Sequence, residues 1–459
     1  MSYQVGIRRL DVTPPVGCFL AGYAARTEPA NGVYHPLTAT VVSLSDGVTD
    51  TLIVSIEWLG FYDRTDETRS ALSRVTGIQV ENILLMGTHT HCGPAMRSLD
   101  ARRHGGSSVD DTYISDVIRR LGDASAEACS DRIAVTLWSG VDWCGFAASR
   151  RKPDGKGGVL WEPSLDAPHD HEVPVVVARD STGKANLILF SYACHPTSTG
   201  PILQVGGDYP GFAMSHLESQ VPGCLAVFAK GCGGDQKPHF LDPNTGGFRK
   251  ATVDEVQANG ESLARSVLRA TRREMMEVSG PITIKSVMTD LTTAPVDKRE
   301  VTTLAASGAP QESAWAAHFQ KLLAEGNEPD RVVQMEVQSL TIGSDLAIVT
   351  MAGEMSVEYG LRLKRELAGD FKRVIPLGYA NAIIGYAPVD RQLPEGGYEV
   401  IANQRTLLRA GAFETMKARG VTFTDDPHMI SKMPDHELWM AFFKDVDENV
   451  LAIMSEVRE

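Results

Sequence analysis

Short apolar runs alternate with amphipathic helical stretches almost from end to end, and this alternation constrains the chain more than any other feature. Val41-Val42-Ser43-Leu44 and Thr51 to Ile56 read as neighbouring strands joined by a turn at Asp46-Gly47. Asn82 to Met86, Ile133 to Trp138, Val173 to Ala178, Leu187 to Tyr192 and Leu225 to Ala229 read as further strands, as do Ile282 to Met288, Gln334 to Thr341, Leu346 to Thr350 and Arg373 to Leu377. Between and after them the spacing predicts helices over Asp63 to Val75, Asp110 to Cys129, Val253 to Met276, Glu312 to Ala324, Glu354 to Leu367, Asn403 to Arg419 and His436 to Val457. Ser149 to Gly158, rich in Lys, Arg and Gly, reads as a loop. The pattern predicts an α/β fold of mixed sheets covered by helices. No repeat or linker divides the chain, so we expect one domain over residues 1–459.

Composition excludes whole classes of function. Hydrophobic residues make up 43% of 459, enough for a full core, which rules out a largely disordered or fibrous chain. The formal charge of −14 argues against nucleic acid or an anionic membrane as partner. No run approaches the ~20 apolar residues of a membrane span, so no stable membrane insertion is expected. Seven cysteines without a CxxC pair fit reduced thiols, and the N-terminus lacks a signal peptide. The expectation is a cytoplasmic protein acting on a small molecule, with homo-oligomerisation left open.

Two strand ends carry the chemistry. The run Asn82 to Met86 leads straight into Gly87-Thr88-His89-Thr90-His91-Cys92-Gly93-Pro94. Residues two apart on a strand share a face, so both imidazoles are expected on one side. They could hold a metal or simply cap the strand. Ser191-Tyr192-Ala193-Cys194-His195-Pro196 places a third histidine at another strand end. Glu354, in Ala352-Gly353-Glu354, could be a first-turn residue favoured by a helix dipole, or a carboxylate completing an open His, His, carboxylate set. Gly231-Cys232-Gly233-Gly234-Asp235-Gln236-Lys237-Pro238 lacks the phosphate-loop patterns and reads as a tight turn, with Asp235 satisfying backbone donors or supporting a metal shell.

Taken together these elements resemble the neutral (non-lysosomal) ceramidase family, in its amino-terminal catalytic domain. The resemblance rests on Val5-Gly6-Ile7-Arg8-Arg9-Leu10-Asp11-Val12-Thr13-Pro14-Pro15, on Ala21-Gly22-Tyr23, and on Thr88 to Pro94, which matches a THTHSGP element with Cys92 for serine. It runs from about Val5 to about Tyr398. It implies one catalytic Zn²⁺ held by His89, His195, Glu354 and Tyr386, the last in Asn381-Ala382-Ile383-Ile384-Gly385-Tyr386. A second family tyrosine twelve residues on falls at Tyr398. His91, Arg150 and Tyr398 are implied to contact the reacting group, with Arg151 as an alternative register for the arginine.

The chain also departs from the pattern. Lys237 stands where the family has a serine, so a nucleophilic serine is absent; Lys237 and Asp235 are placed on the substrate side. The lead-in to Tyr386 lacks the family's Asn-Asp-Tyr, and a helix ending near Val457 leaves no room for the family's carboxy-terminal immunoglobulin-like domain.

The resemblance thus implies a zinc-dependent hydrolase that cleaves an amide with metal-activated water. Three rivals stand beside it: the same chemistry on a small polar ester, lactone or sugar-derived substrate, which Lys237 would suit; a barrel amidohydrolase with both HxH histidines as ligands; and an inactive metal-binding relative.

Overall fold

The computed structural model describes residues 3–23, 26–94, 111–292, 298–306, 316–317, 320–321, 324–325, 332–401, 428–432, 437–444 and 450–457. Its centre is a nine-stranded mixed sheet. Across it the strands run Leu225–Lys230, Ala185–Tyr192, Glu172–Arg179, Ile133–Trp143, Tyr3–Asp11, Thr38–Ser45, Asp50–Ile56 and Ile83–Gly87, with Met276–Val278 paired to Ile133–Trp143.

The uninterrupted apolar runs have a direct cause: both faces of this sheet are buried. Val41, Leu52, Val54, Ile83 and Leu85 pack outward against the helices Thr65–Thr76 and Asp111–Ser130. Their neighbours Val42, Ile53, Leu84 and Met86 point the other way, toward a four-stranded sheet of Ile282–Thr292, Val332–Ile342, Leu346–Met351 and Arg373–Leu377. A third core lies beneath the helices Asp208–Gln220 and Val253–Arg272, around Val175, Phe190 and Phe228. Each fully buried aliphatic side chain contributes about 1.5–3 kcal/mol.

The large sheet curls until its two ends meet. The Ser55 hydroxyl donates to the Phe228 carbonyl at 2.7 Å, joining the Asp50–Ile56 strand to the Leu225–Lys230 strand. Isolated bridges Met86↔Ala380 and Gly231↔Leu377 bring the four-stranded sheet to the same place. Three parallel pairs therefore end together: Asp50–Ile56 with Ile83–Gly87, Ala185–Tyr192 with Leu225–Lys230, and Leu346–Met351 with Arg373–Leu377. Carboxyl ends of parallel strands are where α/β proteins build their sites.

Three sequence expectations are corrected here. The chain from Glu437 to Val457 is not helical: Glu437–Lys444 and Val450–Val457 are antiparallel strands in a three-stranded sheet with His428–Lys432. In the sequence, aromatic and β-branched runs flank the acidic segment Asp445 to Asn449, a pattern that an apolar-spacing count mistakes for one helix. Ser149 to Gly158 is not all loop, since Ala147–Pro153 and Val159–Ser164 form a hairpin. Glu354 is not in a helical first turn, because the helix begins at Val357 after Ser356 and Glu354 lies on a two-residue strand. The helix expected over Asn403 to Arg419 lies outside the described residues, and most of that over Glu312 to Ala324 does too.

Candidate metal centre

His89, His91 and His195 converge where the parallel pairs end, with one ring nitrogen from each lying within 4.8 Å of the others. All three are buried. The strand bearing HxH stops at Gly87, so strand alternation is not what unites His89 and His91. Instead His89 takes a left-handed backbone, φ 66°, which turns its ring to 5.0 Å from that of His91. Left-handed φ also marks Tyr379 and Asn381, which follow the Arg373–Leu377 strand. Strain of this kind concentrates at functional sites. Asn381 holds its segment in place, accepting from the Leu85 amide at 3.0 Å and donating its own amide to the Leu85 carbonyl at 2.8 Å.

Backbone carbonyls set the imidazole tautomers. His89 Nδ1 lies 2.7 Å from the Leu59 carbonyl and His195 Nδ1 lies 2.8 Å from that of Gly233, so each carries its proton on Nδ1. Burial drives His195 down to about 3 and His91 well below its ordinary range, so both are neutral. Nε2 of His89 and Nε2 of His195 both face one carboxylate oxygen, Glu354 Oε2, at 3.3 and 3.1 Å. Two ring nitrogens and a carboxylate oxygen this close in a buried pocket need a proton or a metal cation among them. His89 Nε2 and both nitrogens of His91 also have no hydrogen-bond partner. This donor set fits a divalent metal, and the three histidines with Glu354 could hold it.

Glu354 reaches the histidines because its strand, Glu354–Met355, pairs in parallel with Tyr386–Ala387, putting Glu354 opposite Tyr386. The Tyr386 ring stacks beside His195 at 6.1 Å and meets the Tyr398 ring at 5.5 Å. Arg150 is buried over these rings, its guanidinium 5.5 Å from Tyr386, 5.0 Å from Tyr398 and 4.5 Å from Trp161. It donates to Glu399 Oε1 and to the Gly234 carbonyl, both at 2.6 Å. Arg151 binds the other Glu399 oxygen at 2.7 Å and, with Asp235, lines a neighbouring cavity of about 340 Å³.

The Gly231–Pro238 turn places the remaining two sequence candidates. The Asp235 carboxylate accepts from the Val357 amide at 2.9 Å, Gln392 Nε2 at 3.0 Å and Gln236 Nε2 at 3.1 Å, tying the turn to the helix that follows Glu354. Lys237 donates to the Thr197 carbonyl and hydroxyl, two residues beyond His195. Burial brings its ammonium down to about 8, so it stays charged at neutral pH.

Sequence reasoning missed three residues here. Tyr379 is fully buried, its ring 4.3 Å from that of His89 and its hydroxyl 3.4 Å from His195 Nδ1. Lys230 sits beneath it, Nζ 4.3 Å from the Tyr379 ring centre. Arg26 donates to the His91 carbonyl at 3.0 Å. No local pattern marks any of them; only the meeting of the sheets does.

No protein-family model matches the chain, and no curated protein does. Solved structures do match. A neutral ceramidase from Pseudomonas aeruginosa superposes with a TM-score of 0.71 at 17% identity, covering 99% of this chain and 89% of its own. A ceramidase complexed with C2 gives a TM-score of 0.70 at the same identity and coverage. The chain has a ceramidase-like α/β fold.

Proposed function

We propose that this protein is a zinc-dependent hydrolase that cleaves an amide bond. The observation that carries the reading is the pair of Nε2 atoms on His89 and His195 turned onto Glu354 Oε2 at 3.3 and 3.1 Å. His89, His195, Glu354 and Tyr386 would hold the ion. When bound, it supplies Lewis acidity, polarising a carbonyl and making water a better nucleophile near neutral pH.

The chain's own groups complete the chemistry. Arg150 is fixed by Glu399 and the Gly234 carbonyl, so its charge meets a developing oxyanion without reorganising. Tyr398 is half exposed at the rim, where its hydroxyl can donate to the same oxyanion or to the leaving group. His91 has both ring nitrogens without a hydrogen-bond partner, so one can hydrogen-bond the reacting group. The likeness to ceramidases supports hydrolysis, and ester cleavage by the same groups is the second reading.

Elemental analysis of the wild type and of His195→Ala tests the proposal. About one zinc per chain in the wild type, lost in the variant, is the expected result. A wild type that takes up no zinc, or a variant that keeps it, ends the reading.

A further inference from the structure

Positive charge is concentrated around the histidines of an otherwise acidic chain. Among the described residues, Arg26, Lys230 and Lys237 hydrogen-bond to carbonyls or a hydroxyl and none forms an ion pair. Arg150, by contrast, is ion-paired with Glu399. The chain's formal charge of −14 repels anions at long range, so this local excess is not a general property of its surface.

Of these three cations Lys237 is the least buried. Arg26 is 3% exposed behind the Ala21 and His91 carbonyls, and Lys230 is 1% exposed under Tyr379. Lys237 is half-buried on the Gln236–Pro238 strand, which pairs with the strand carrying Arg150. An ammonium has three protons, and two go to the Thr197 carbonyl and hydroxyl at 2.9 and 3.2 Å. That same carbonyl accepts from the Tyr23 hydroxyl at 3.4 Å, and the Tyr23 ring lies 5.0 Å from that of His91. Lys237 is thus linked to the histidine site through Thr197 and Tyr23. Asp208 acts on its charge from beyond hydrogen-bond range, and the Asp208 oxygens are taken by the Ser198 amide and hydroxyl and the Tyr209 amide at 2.9, 2.6 and 2.7 Å.

Resting on the hydrolase reading above, we infer that the substrate carries a carboxylate close to the scissile bond and that Lys237 binds it through its remaining proton. Among the described residues the Lys237 ammonium hydrogen-bonds only to neutral oxygens, and a ligand carboxylate would add a stronger, charge-assisted hydrogen bond. N-acyl amino acids have the required chemistry: an amide carbonyl with an anion two bonds from its nitrogen.

The test is calorimetric binding of a matched pair, N-acetylglycine and the neutral N-acetylglycinamide, to zinc-loaded and to chelator-treated protein. The wild type is expected to favour the acid by about tenfold or more. Lys237→Met should bring the acid down to the amide's affinity, and Lys237→Arg should keep most of the preference. Circular dichroism verifies folding of each variant. Equal binding of acid and amide by the wild type, binding of neither, or a preference untouched in Lys237→Met overturns the inference. A preference seen only with zinc and kept in Lys237→Met assigns the carboxylate to the ion and overturns it as well. Zinc content is read separately: zinc bound without acid preference fails this inference alone, whereas a Lys237-dependent preference without zinc uptake fails the hydrolase reading alone.

Discussion

Glu354 and Tyr386 face each other across a two-residue parallel pairing, and that register puts a carboxylate and a phenol on the same side of His195. The two come from different loops, after the Leu346–Met351 and Arg373–Leu377 strands. If the Tyr386 hydroxyl acts on the metal or the reacting group, Tyr386→Phe removes one oxygen and little packing. The expected result is a loss of about a hundredfold in kcat with melting temperature held within a few degrees. Unchanged turnover on an active substrate would show that the hydroxyl has no part in the chemistry.

Under the proposed reading His91 is a catalytic group and His89 a ligand. Its ring nitrogens lie with those of His89 and His195, yet the close approaches to Glu354 come from His89 and His195 alone. His91→Ala is therefore expected to keep about one zinc per chain and lose activity, whereas His89→Ala loses both. Metal analysis of the two purified variants decides; zinc lost from His91→Ala would make His91 a ligand.

The strands were legible because the sheet is covered on both faces, so Leu52 to Ile56 and Ile83 to Met86 must be apolar throughout. The histidines were legible because they follow such runs directly. Glu437 to Lys444 was misread because a short aromatic strand and a buried helix share an apolar content that spacing alone does not separate. Tyr379, Lys230 and Arg26 were invisible for another reason. Their roles come from the curl that brings Ser55 to Phe228 and from the bridges at Met86 and Gly231, long-range facts that no local window contains.

Glu57 is buried with Oε2 accepting from the Thr38 amide and hydroxyl and Oε1 without a partner, packed against Gly207 and Gly211. Burial raises its carboxyl to about 7. The folded-state pKa lies above the unfolded one, so the stabilisation is complete below the unfolded value near 4.5 and is lost as pH rises through about 7. The loss amounts to about 3 kcal/mol. Glu57→Gln, which cannot ionise, should lose less stability than wild type between about pH 5 and 8. Thermal melts across that range test this, and parallel curves for the two proteins would refute it.

Gly22 is the residue on which the placement of His91 depends. Its backbone is left-handed, φ +93°, and a Cβ built there would lie 2.3 Å from His91 Nδ1. Nothing larger than glycine fits without moving the ring, and the positive φ adds its own penalty for an L side chain. Gly22→Ala should therefore destabilise the fold by about 1–3 kcal/mol and also displace His91. The second effect distinguishes a site residue from a merely structural glycine: zinc is retained while kcat falls toward that of His91→Ala. Full activity in a Gly22→Ala protein of lowered melting temperature would mean that His91 tolerates the displacement and that its present position is not what the reaction needs.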